Sequence, residues 1–158
     1  MRRFVLVVSV ASVAALAFAG ATVVTSAAPQ LPGSTAHGFS LTGSTAGGVS
    51  SAQGGDPLTF VFSEVKVGSG SPSSEDLVLE SLTNASIVSI SCVFPSRFLF
   101  SPDGSTCEPK PLSNGQKASS VINATVTAGS GSVTARVCLQ SEATGVVGPC
   151  QSMSVSIV

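Results

Sequence analysis

The sequence has no tryptophan and no tyrosine, a single histidine, and charged side chains at only 9% of its 158 positions. Each shortage removes a class of function. Without Trp or Tyr there are no such aromatic platforms for a sugar or a base to stack on. The lone His37 sits among Gly, Ser and Thr, so the folded part has no imidazole for a Ser–His–acid triad or an ordinary zinc site. The acids are scattered, with no run longer than Glu75-Asp76, and the net charge of −1 falls to −3 once Arg2 and Arg3 are removed. Such a surface offers no electrostatic footprint for nucleic acid or anionic lipid. No Gly-rich phosphate loop leads from a strand into a helix. Glu64, Glu80, Glu108 and Glu142 supply carboxylates but follow no recognisable acid/base motif. The chain is therefore read as a non-enzyme, without cofactor, metal site or nucleic-acid partner.

What is present begins with an export signal. Met1-Arg2-Arg3 is a short positive start, and Phe4 to Val24 is uncharged and rich in Val, Ala and Leu. Small residues follow at Ala17-Phe18-Ala19 and at Thr25-Ser26-Ala27-Ala28. This is the order of a signal peptide, assigned to residues 1–28 with cleavage near Ala27 or Ala28. An uncleaved anchor is the rival, since 21 uncharged residues can span a bilayer. The Ala, Ser and Gly content makes the span weakly apolar, which favours cleavage, a secreted or cell-surface protein and no stable membrane anchor.

Residues 29–56 are rich in Gly, Ser, Thr and Ala, and Gly33-Ser34-Thr35-Ala36 recurs as Gly43-Ser44-Thr45-Ala46. Two imperfect copies do not make a solenoid. The segment reads as a flexible linker.

From Pro57 to Val158 short alternating runs are separated by turn residues, and no apolar stripe has helical spacing. Leu58, Phe60 and Phe62 share one face. Val65 and Val67 then carry the apolar phase, which predicts a bulge or break near Ser63. Val88, Ile90, Cys92 and Phe94 alternate with Ser89 and Ser91. Further alternation runs through Ile122–Val126, Val133–Leu139 and Met153–Ile157. Phe98-Leu99-Phe100 reads as strand with inward Phe98 and Phe100 in preference to an exposed binding patch. About seven strands over about 100 residues predict an all-β, Ig-like antiparallel β-sandwich. Asn84-Ala85-Ser86 and Asn123-Ala124-Thr125 match the glycosylation sequon, with Asn84 better placed as a turn that ends a strand. Lys66 and Asn123 are a weak candidate pair for an isopeptide bond.

Four cysteines in a small exported domain read as two disulfides. Cys138 shares phase with Thr134 and Arg136, and Cys150 with Ser152 and Ser154, so both point outward and flank one hairpin connection. Cys92 shares phase with Ile90 and points inward. Pairing an inward with an outward cysteine would rotate a whole strand. The expected bridges are Cys92–Cys107 and Cys138–Cys150, both structural. A redox role would want a C-x-x-C spacing or an electropositive neighbour, and the sequence displays neither.

From Leu77 to Val158 the chain resembles the conserved-repeat Ig-like domains of bacterial cell-surface and secreted proteins. The resemblance rests on Leu82-Thr83-Asn84-Ala85-Ser86, a Cys-bearing central loop, and Leu112-Ser113-Asn114-Gly115-Gln116-Lys117-Ala118-Ser119 leading into Val/Thr strands. It implies a spacer or interaction module whose partner is a protein or a cell-wall component. The alternative is a secreted carrier of a small hydrophobic ligand, since the two local hairpin disulfides are similar in layout to apoproteins of the neocarzinostatin type.

Overall fold

A computed structural model describes residues 34–158 apart from 37, 69–70, 72, 95–103 and 142–143. The signal-peptide segment, His37, Phe98-Leu99-Phe100 and Glu142 lie outside the described residues. In chain order the strands are β1 (Ser34–Ala36), β2 (Phe39–Thr45), β3 (Ser51–Ala52), β4 (Pro57–Lys66), β5 (Asp76–Thr83), β6 (Ala85–Val93), β7 (Thr106–Cys107), β8 (Lys117–Val126), β9 (Gly131–Gln140) and β10 (Val147–Ile157). They form two five-stranded sheets, β1-β2-β4-β8-β6 and β3-β10-β9-β5-β7. All neighbours are antiparallel except β3, which runs parallel to β10. Alternate residues of both sheets meet in one core. Phe60, Phe62 and Ile122 come from the first sheet, and Leu77, Val133, Val137 and Val155 from the second, all fully buried.

The segment 29–56 is not a flexible linker from Ser34 onward, and the sandwich does not begin at Pro57. β2 pairs with β4 in unbroken register from Phe39↔Lys66 to Thr45↔Phe60. Its alternation buries Phe39 and Leu41 in the core, at 1% and 0% exposure. Polar composition conceals this strand because only alternate positions need to be apolar on a half-buried sheet. Gly43 belongs to the packing. A Cβ there would fall 2.8 Å from Met153 Cγ and 3.0 Å from the Phe62 ring, closer than a side chain tolerates. A 3₁₀ turn (Ala46–Gly48) then carries the chain toward β3 in the other sheet. The described residues hold ten strands where about seven were expected over the whole domain: six coincide with expected runs, β1, β2, β3 and the two-residue β7 are additional, and the strand expected at Phe98-Leu99-Phe100 lies outside the described residues.

Two further expectations change. No break occurs at Ser63. β4 is a central strand paired without register shift to β2 and β8, and a bulge there would disrupt two ladders at once. The phase of Leu58, Phe60 and Phe62 therefore continues through Glu64 and Lys66, both buried, while Val67 is exposed. The irregularity sits instead on the edge strand β6, between Ile87 and Ser89. Val88 is the extra residue and is 68% exposed, so β6 turns Ala85 toward the core before the bulge and Ile90 and Cys92 after it.

Asn84 occupies the corner between β5 and β6 with φ 58°, a left-handed conformation that Asn tolerates. Its Nδ2 donates to the Ser132 carbonyl at 2.8 Å. Asn123 accepts from Thr59 Oγ1 at 2.8 Å and donates to Ser89 Oγ at 3.0 Å. In register Asn123 faces Thr59, seven residues from Lys66 along β4, so no Lys66–Asn123 bond can form.

Candidate functional site

The disulfides join Cys92 to Cys107 and Cys138 to Cys150. Cys92 lies on β6 and Cys107 on β7, so the first bridge ties the two sheets together inside the core, with both cysteines at 0% exposure. The second lies on the outer face of the other sheet. Cys138 and Cys150 are direct cross-strand partners on β9 and β10, with Cα atoms 4.0 Å apart. Although Cys138 points outward, it is only 2% exposed, because neighbouring side chains cover it.

That cover comes from Val78, the regular cross-strand partner of Cys138, together with the irregular pairing on both flanks of β9. On β5 the register slips between Leu79 and Ser81, making Glu80 the extra residue. On β10 it slips between Val147 and Cys150, at Gly148-Pro149. Glu80 turns toward β9, where its carboxylate accepts from Arg136 Nε and places Oε2 3.3 Å from Cys138 Sγ. Val78, Glu80, Cys138, Gln140 and Val147 line a shallow depression of about 60 Å³ over the bridge. This is far below the roughly 300–1,000 Å³ of a site for a drug-sized ligand. The charged neighbours Glu80 and Arg136 are a feature that sequence analysis missed. Arg136 could have been found, two residues from Cys138 on the same face. Glu80 shares the outward phase of Val78, the cross-strand partner of Cys138, but no local pattern shows that β5 lies beside β9.

A second polar feature lies inside the sandwich. Glu64, in register between Leu41 of β2 and Ala118 of β8, is completely buried. Neither carboxylate oxygen has a hydrogen-bond partner among the described residues. Burial pushes its pKa up to about 8, assisted by the nearby charges of Glu75 and Asp76. At neutral pH the group is therefore a neutral acid enclosed in the core. Lys66, two residues on, places Nζ 4.7 Å from the centroid of the Phe39 ring, a cation–π contact that offsets part of its burial. Glu64, Glu80 and Glu108 are not assembled into one cluster: the first is interior, the second on the outer face of β5, and the third in the connection after β7.

No protein-family model and no curated protein matches this chain. Among solved structures it is similar to one described as "AvmM Catalyzes Macrocyclization in Alchivemycin A Biosynthesis", with a TM-score of 0.41 and 12% identity, over 80% of this chain and 96% of that one. A likeness of that depth carries no functional argument.

Proposed function

We propose that this chain is an exported, bacterial, Ig-like module of the cell surface or extracellular space, acting as a structural or interaction element and not as a catalyst. The observation that carries this reading is the pair of disulfides, Cys92–Cys107 and Cys138–Cys150, with no free cysteine among the described residues. Disulfides persist in oxidising compartments and are reduced in the cytosol. The Arg2-Arg3 start and the uncharged run after it supply the export route. The ionisable group most displaced from its ordinary pKa, Glu64, is sealed in the core, where no substrate reaches it.

Expression of the full chain in a secreting bacterial host tests the proposal. The protein is expected in the medium, shortened by its first 27 or 28 residues, or by 19 if the Ala17-Phe18-Ala19 site is used, and resistant to thiol alkylation until reduced. Recovery only as full-length protein in the membrane fraction overturns export. Stoichiometric binding of an apolar dye with a rise in melting temperature would move the reading to the hydrophobic-ligand carrier.

A further inference from the structure

The outer bridge is surrounded in a way that a purely structural staple does not require. The Glu80 carboxylate, Cys138 Sγ and Cys150 Sγ lie within 4.8 Å of one another, and no other trio of His, Cys, Asp or Glu among the described residues is drawn together in this way. Two register slips, on β5 and on β10, converge on this point of β9, and the depression above it is open to water. Oxidised, the two sulfurs bond to each other and have no thiolate to offer a metal. Reduced, the same three groups present two thiolates and a carboxylate, a donor set suited to zinc.

We propose that Glu80, Cys138 and Cys150 form a redox-gated site for a thiophilic divalent metal ion of the zinc type, closed in the disulfide form and opened by reduction. The reductant is a dithiol. The Cys138–Cys150 bond breaks, each sulfur gains one electron and one proton, and the dithiol is oxidised to its own disulfide. The metal then displaces the two thiol protons and takes the carboxylate as third ligand, leaving a fourth position for water from the depression. Tetrahedral zinc with sulfur ligands at about 2.3 Å holds them roughly 3.8 Å apart. Cross-strand partners whose Cα atoms are 4.0 Å apart reach that separation by side-chain rotation, with the ladder intact. Arg136 must release Glu80, which is easy because the pair is half exposed and such pairs are weak. It remains alongside to balance the negative charge of a centre with three anionic ligands. The inner bridge has no comparable third ligand and is fully buried, so it serves as an internal control.

Cobalt(II) is the probe. The processed full domain is reduced with a phosphine, desalted without oxygen, and titrated with cobalt. One cobalt per chain is expected, with thiolate-to-metal charge-transfer absorption and displacement by zinc, whereas oxidised protein gives no signal. Glu80→Gln should weaken cobalt binding by about tenfold or more while leaving the β-sheet circular dichroism unchanged. Replacing Cys138 and Cys150 together by Ser should abolish the charge-transfer band, since either thiolate alone can still give one. Absence of stoichiometric cobalt, unchanged affinity in Glu80→Gln, a band that survives the double replacement of Cys138 and Cys150, or loss of the sheet signal on reducing the outer bridge would each overturn the proposal.

Discussion

Glu64 sets the behaviour of the sandwich with pH. In the unfolded chain its carboxyl loses its proton near pH 4.5, whereas burial holds the proton to about pH 8 in the folded state. Between those values the folded state carries a proton that the unfolded state has lost, so stability falls as pH rises. The contribution is fully present below about 4.5 and has gone above about 8. The gap corresponds to roughly 5 kcal/mol at most. Melting temperature should therefore fall by on the order of 10 °C between pH 5 and pH 9. Glu64→Gln cannot ionise and should flatten that slope, melting above the wild type at pH 9 and no higher than it at pH 5, where the buried amide lacks a partner. Identical slopes for the two proteins would show that Glu64 does not titrate as its burial requires. This residue was legible in part. It falls in strict phase with Leu58, Phe60 and Phe62, and only the apolar Val65 and Val67 on the opposite phase disguised it.

β2 shows how an element of low-complexity composition earns its place. Phe39-Ser40-Leu41-Thr42-Gly43-Ser44-Thr45 carries two large apolar residues, yet both are in the core, and the glycine between the sheets admits Met153. Phe39→Ala should cost about 3–5 kcal/mol in chemical denaturation, the usual figure for a buried aromatic. A chain shortened to begin at Pro57 strips β4 of one of its two partners and should fail to fold cooperatively. A stable, two-state 57–158 fragment would restore the linker reading. Limited proteolysis offers the same check, since the protected core should begin ahead of Phe39. The sequence repeat around Gly33 and Gly43 drew attention to flexibility, whereas the period-2 pattern of Phe39, Leu41, Gly43 and Thr45 was the informative signal.

Across the whole molecule the two bridges do different work. Closing segments of 15 and 12 residues, each contributes roughly 3 kcal/mol through the entropy of the unfolded chain. Cys92–Cys107 also links one sheet to the other inside the core. Replacing both cysteines by Ser leaves two hydroxyls where there is no exposure, at further cost. The Cys92/Cys107 double Ser variant should therefore melt lower than the Cys138/Cys150 variant, and both below the wild type, in calorimetry under non-reducing conditions. The reverse order would mean that the outer hairpin, not the link between sheets, limits stability. The pairing itself was legible because alternation fixes which way each cysteine faces.

The sequence by itself determined the all-β class, the two local disulfides, the Asn84 corner and most of the core, because each follows from period-2 alternation or from turn chemistry along one stretch of chain. Tertiary structure alone decided the start of the sandwich, the burial of Glu64 and the neighbours of the outer bridge. Whether a strand tolerates a bulge depends on how many ladders it serves. Central β4 stayed regular and carried its acid inward, while the edge strand β6 bulged. What surrounds Cys138 depends on which strands lie on either side of β9, and no local pattern around Glu80 or in Gly148-Pro149 records where those strands will pair.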